Sequence, residues 1–194
     1  MTVKRRYIAI AVVGALVISG GALWFTRSPG SVGKPAVSAT PVEAQLDYLT
    51  AHWNERTAEE FGSLDETDCV NFTSQGLLAR GWEMNDEWWH FSILGWHRYS
   101  RPWVSSTAFR DYLAEHPHLG SPIDESAARV GDIVQFDWDA SGNRDHTATV
   151  SRVGDDGRIF VIQHSSDRQF EPVEQLIADH ADGIGDVYYW HPAD

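Results

Sequence analysis

The chain has 194 residues, 42% hydrophobic and 12% aromatic, which is enough for one folded domain with a real core and a short appendage. A single cysteine excludes a disulfide framework and any multi-cysteine zinc site. Residues 1–40 hold Lys4, Arg5, Arg6, Arg27 and Lys34 and no acid, so the remainder carries −18, the whole-chain −13 less this +5; such an acidic body excludes a nucleic-acid partner, whose phosphates need clustered Lys and Arg.

Three basic residues precede an uncharged, mostly apolar run from Tyr7 to Phe25. Residues 1–27 therefore read as a signal peptide or membrane anchor, with the basic flank on the cytoplasmic side and everything beyond it outside the cytoplasm. Residues 28–42, rich in Ser, Gly and Pro, read as a flexible linker, and the folded domain is expected over 43–194. Within it, Leu46, Leu49 and Trp53 recur at helical spacing over Glu43 to about Asn54. A second helix is expected from Thr67 or Asp68, with Cys69, Phe72, Gly76 and Leu77 along one stripe. Residues 81–104 hold five tryptophans, whose primary reading is core packing and whose alternative is a groove for sugar rings. Ser105 or Ser106 can cap a third helix bearing Phe109, Tyr112 and Leu113 that ends before Pro117. Beyond Val130 the texture turns to short β-rich runs at 133–138, 146–153 and 158–164, with a last strand at Val187–Trp190. Helices first and strands afterwards make an α+β fold, with N-terminal helices packed on an antiparallel β-meander.

The lone thiol is the chemical question. Cys69 sits in the expected first turn of its helix, where unpaired N–H groups and the helix dipole favour a thiolate. His146 opens an expected strand and can serve as its base. The same helix start can supply oxyanion donors, Cys69's own N–H first among them. Without more, a lone Cys is also a small buried hydrophobe, and a His before a strand is also a surface residue. The histidines at 90, 97, 116 and 118 lack metal-ligand spacing, and Asn71-Phe72-Thr73, though a glycosylation pattern, falls inside the helix.

DCVNFTSQGLLARGW, SRPWVSSTAFRDYL, GDIVQFDWD, DHTATVSRV and VIQHSSDR, in this order, resemble the putative amidase domain family, which is related to the CHAP and papain-like cell-wall hydrolases. HWNERTAEEF resembles its lead-in helix, so the likeness spans roughly 43–194; Glu66-Thr67 departs from the Gly-Gly that commonly precedes its Asp-Cys pair. The resemblance implies a papain-like fold and amide-bond hydrolysis, with Cys69 as nucleophile and His146 as base. It also implies peptidoglycan peptides as the substrate partner and no cofactor. A monomer outside the cytoplasm, touching the membrane through its N-terminal segment, is expected. Two alternatives are a non-catalytic wall-binding module and a thioester-forming acyltransferase.

A Cys–His pair also needs a polar group to orient the imidazole, and Gln163 and His164 are the candidates. A tight two-residue turn at Asp155-Asp156 sets Ala148 opposite Gln163. A three-residue turn, Asp155-Asp156-Gly157 with a left-handed glycine, sets Ala148 opposite His164. The second suits Asp-Asp-Gly better and, with the resemblance, favours His164 as the third catalytic residue.

Overall fold

A computed structural model describes residues 39–54, 60–180 and 185–194; the expected membrane segment and all but the end of the linker lie outside the described residues. Among the described residues no helix is long and apolar enough to cross a membrane.

Helix α1 (Pro41–His52) starts two residues earlier than its apolar spacing suggests, because Thr40 caps it. The Thr40 hydroxyl accepts from the Glu43 N–H at 3.3 Å, and the Glu43 carboxylate accepts from the Thr40 N–H at 2.8 Å. This reciprocal box satisfies two backbone donors, and Pro41 is pre-set for the first helical position. Helix α2 (Cys69–Arg80) is buried on every side over Cys69–Leu77 and not along a single stripe. It packs against α1, against α3 (Arg101–Val104) and α4 (Ser106–Glu115), and against the sheet. Its polar residues tolerate this because they are paired: Gln75 accepts from the Tyr48 hydroxyl at 2.7 Å, and Ser74 accepts from the Trp88 indole at 3.2 Å. Ser105 is the cap of α4, accepting from the Ala108 N–H, and Phe109, Tyr112 and Leu113 are buried as expected.

The aromatic region holds a hairpin that its composition did not suggest, β1 (His90–Ile93) with β2 (Trp96–Tyr99). The main sheet contains β3 (Gly120–Ile123), β4 (Ile133–Asp137), β5 (His146–Val153), β6 (Ile159–Gln163), β7 (Arg168–Pro172) and β8 (Asp186–Pro192). Its spatial order is β3-β8-β4-β5-β6-β7 and every pairing is antiparallel. The meander therefore holds from β4 to β7, while β8 inserts between β3 and β4. One sheet face packs with α5 (Val173–Asp179) through Val134, Phe136, Ala148, Val150 and Val161. Ile133 and Trp190 belong instead to the core shared with Val70, Leu77 and Phe109 of α2 and α4.

The β5–β6 hairpin decides which side chains meet. Its turn is the three-residue form: Gly154 N–H donates to the Arg158 carbonyl at 2.8 Å, and Gly157 is left-handed at φ +81°. Arg152 accordingly pairs with Phe160 and Val153 with Ile159. At Ser151 a β-bulge adds one residue to β5, after which Val150 pairs with Val161 and Thr149 with Ile162. The Ser151 hydroxyl donates to the Phe160 carbonyl at 3.2 Å. The bulge cancels the register set by the turn, so the expected pairing of Ala148 with His164 does not form and Gln163 comes to that side instead.

The α1–α2 contact rests on Gly76. A Cβ there would lie 2.9–3.0 Å from Leu49, itself fully buried. Gly76→Ala should therefore destabilise the domain by about 1–2 kcal/mol despite the better helix propensity of Ala, because overpacking costs more than the propensity returns. A denaturant titration showing equal or greater stability would disprove this contact.

Candidate active site

Cys69 is the first residue of α2 and His146 the first of β5, and the fold brings them into contact. The His146 Nε2 faces the Gln163 Oε1 at 2.7 Å. The Gln163 amide nitrogen donates to Ser166 Oγ at 2.6 Å, so its oxygen is the end presented to the ring. Nε2 must then carry a proton, leaving Nδ1 as the nitrogen available to the thiol. Burial pushes the Cys69 thiol up, but His146 (by hydrogen bond and charge), the Thr147 backbone N–H and the Ser106 hydroxyl outweigh it, and the thiol ends below its ordinary value. For His146, burial favours the neutral ring, yet the hydrogen bond and charge of Cys69, with Gln163, raise it overall. Both shifts favour a thiolate–imidazolium pair.

His164 is not part of that contact. Its Nδ1 lies 2.6 Å from Asp68 Oδ2 and its Nε2 donates to the His52 carbonyl at 3.0 Å, with both side chains of the Asp68–His164 pair only 2% exposed. The ring stacks on Phe72 at 3.7 Å between centroids. Asp68 Oδ1 accepts from the Leu64 N–H and the Asn71 amide, each at 2.9 Å. Asn71 in turn accepts from the Trp103 indole at 2.8 Å, which gives the residue of the glycosylation pattern a buried structural role. The expected third residue thus anchors the start of α2, and Gln163, the alternative, meets His146. The missed signal is the bulge: nothing in Val150-Ser151-Arg152 announces an extra residue.

A cleft of about 300 Å³ opens on the thiol, lined by Cys69, His146, Glu66, Ser105, Arg144 and Asp145. A second, of about 280 Å³, continues past His146 along Gln163, Ser165, Leu176 and His180. A larger cavity of about 440 Å³ beside Val173 and Tyr189 holds neither the thiol nor the imidazole. The carboxylates of Asp137, Asp139 and Asp145 approach one another within 4.8 Å, but they accept from backbone N–H groups of the β4–β5 turn, at Trp138, Ser141 and Gly142. That accounts for their position without an ion.

Helices against an antiparallel sheet, with a thiol at a helix start and an imidazole at a strand start, define an α+β protein with a candidate hydrolytic cleft. A family model described as "Putative amidase domain" matches residues 40–186. The chain belongs to that family, and its domain is therefore of the amide-bond-hydrolysing kind. No curated protein and no solved structure matches the chain.

Two outcomes follow from this geometry. His164→Ala strands a buried carboxylate and should cost about 3–5 kcal/mol of stability, whereas Gln163→Ala should cost roughly 1 kcal/mol; comparable losses in denaturation would contradict the assignment of partners. Because the thiol is lowered, its ionised form persists to lower pH than in an ordinary cysteine. Alkylation of Cys69 by iodoacetamide should therefore set in below the usual thiol range, and His146→Ala should move the profile to higher pH, a shift read from rate against pH.

Proposed function

We propose that the protein is an exported cysteine amidase or peptidase that cleaves peptide or amide bonds of peptidoglycan. The observation that carries this reading is the Cys69–His146 contact, with its paired shifts, inside an amidase-family domain. The Cys69 thiolate attacks the scissile carbonyl carbon, and the oxyanion is held by N–H groups at the start of α2, Cys69's own among them. The tetrahedral adduct collapses to a thioester as the C–N bond breaks, and the His146 imidazolium protonates the leaving amine. Water then attacks the thioester and gives its proton to His146. The acid product leaves, and the thiolate–imidazolium pair is restored.

Gln163 takes the orienting role in this scheme, holding the imidazole by Nε2 so that Nδ1 faces the sulfur. His164 acts at one remove, through Asp68, on the placement of Cys69. Location outside the cytoplasm, with residues 1–27 as signal or anchor, is supported by the basic flank and the apolar run from Tyr7 to Phe25. The acidic body suits a substrate other than a polyanion.

The test is digestion of purified peptidoglycan by wild type and Cys69→Ala, with new amino and carboxyl termini identified by mass spectrometry. Wild type should release termini, and Cys69→Ala should lose the rate by several orders of magnitude while keeping its fold. Equal digestion by both would eliminate cysteine catalysis. Amide products formed with an added amine acceptor would favour acyl transfer. Gln163→Ala should slow hydrolysis by roughly 10- to 100-fold, the scale of a supporting group.

A further inference from the structure

We propose that Ser106 is a dedicated hydrogen-bond donor to the Cys69 sulfur, with its direction imposed through Thr147 and Gln135 by the indole of Trp190. This rests on the reading of Cys69 as the nucleophile, and it adds a residue that touches the reacting atom together with three that position it.

The chain of contacts is continuous and buried. Trp190 Nε1 lies 3.1 Å from Gln135 Oε1. Gln135 Nε2 lies 2.9 Å from the Ser106 carbonyl oxygen and 3.2 Å from Thr147 Oγ1. Thr147 Oγ1 is 2.9 Å from Ser106 Oγ, and Ser106 Oγ is 3.8 Å from Cys69 Sγ. Gln135 and Thr147 are direct cross-strand partners on β4 and β5, both fully buried, while Ser106 is 5% exposed and Trp190 8%.

Donor chemistry fixes the polarity from both ends of the Gln135 amide. An indole N–H can only donate, so the amide group facing Trp190 is the oxygen. A peptide carbonyl can only accept, so the group facing the Ser106 backbone is the NH₂. That NH₂ also meets Thr147 Oγ1, which must accept from it. The Thr147 hydroxyl proton is then directed to Ser106 Oγ. With its oxygen accepting from Thr147, the Ser106 hydroxyl completes its bonding by donating to the sulfur, and hydroxyl rotors in a chain of this kind reinforce one another. The sulfur thereby gains an O–H donor that does not titrate, beside the Thr147 N–H and the ring of His146. His146 must give up its proton during the reaction, whereas Ser106 keeps its own throughout. The Ser106 donor thus stabilises the thiolate again each time the thioester opens.

The experiment is the pH profile of iodoacetamide alkylation of Cys69, the only thiol in the chain, in the full-length protein. Loss of a hydrogen bond to a charged group should move the midpoint of Ser106→Ala up by about one pH unit, while the high-pH plateau rate stays near wild type. Thr147→Val keeps the shape but removes the hydroxyl relay, and should move the midpoint upward by less. Thr147→Ser retains the hydroxyl and should restore the wild-type midpoint. An unchanged or lowered midpoint in Ser106→Ala overturns the proposal. Should Ser106→Ala not fold, an unchanged midpoint in Thr147→Val overturns it instead. Alkylation needs no turnover, so a protein inert toward peptidoglycan still reports on the relay. An active hydrolase with an unmoved midpoint refutes the relay alone.

Discussion

The position of the Cys69 thiol depends on the buried contact between Asp68 and His164. Asp68 immediately precedes Cys69, and its carboxylate gathers the Leu64 N–H, the Asn71 amide and the His164 ring. His164 in turn reaches the carbonyl of His52 at the end of α1. One pair of side chains thereby ties α1, the loop entering α2, the first turn of α2 and the end of β6. A buried carboxylate–imidazole contact is a poor source of net stability, since desolvation offsets most of its attraction. Its use here is geometric: a carboxylate with three donors has few alternative orientations, and the residue after it inherits that fixity. The cost is that Asp68 does not cap α2 through its side chain, which leaves the first N–H groups of α2 without that acceptor.

The same constraint explains why the two histidines of the β5–β6 region have different fates. Adjacent residues on a strand face opposite sides, so Gln163 and His164 cannot both reach His146. The bulge at Ser151 gives Gln163 to the imidazole and sends His164 to Asp68. Had the ladder continued in the register set by Gly157, the histidine would have taken the place of the amide. Asp68 would then have been a buried carboxylate short of a partner. The two sites are thus exchanged by a single extra residue six positions before Gly157, in a stretch without glycine or proline to mark it.

Much of the architecture was legible because strong local signals agreed with the tertiary outcome. The Asp-Asp-Gly turn, the cap at Ser105, the start of α2 at Cys69 and the β-rich runs after Val130 all sit where their chemistry puts them. The tryptophans mostly serve the core, as expected: Trp88 and Trp103 are fully buried, while Trp96 on the β1–β2 hairpin is 77% exposed. The hairpin itself was hidden by composition, since the aromatic density of residues 81–104 masks any alternation. From its sequence helix α2 reads as one-sided, because Asn71, Ser74 and Gln75 look like surface residues until their partners on other elements are known. Cys69 at a helix start and His146 at a strand start stand where the sequence puts them, but their positions along the chain do not by themselves bring the two together. Ser106 could not be found in this way, because it reaches the sulfur only when α4 folds against α2, and its partners Thr147, Gln135 and Trp190 lie on three strands remote from it in sequence.

The place of β8 in the sheet has a kinetic consequence. This strand, the last along the chain, lies between β3 and β4, and Pro192 near its end accepts from the Arg80 guanidinium across 112 residues of sequence. Contacts of that separation carry a large loop-closure cost and raise the contact order, which slows folding. The helices and the β4–β7 meander rest on shorter-range contacts and can organise first. The hydrogen-bond chain that ends at the Cys69 sulfur starts at Trp190 of β8 and runs through Gln135, Thr147 and Ser106. Full reactivity should therefore arrive with the last strand to dock, and a chain caught before that step would hold its thiol in an unfinished electrostatic setting.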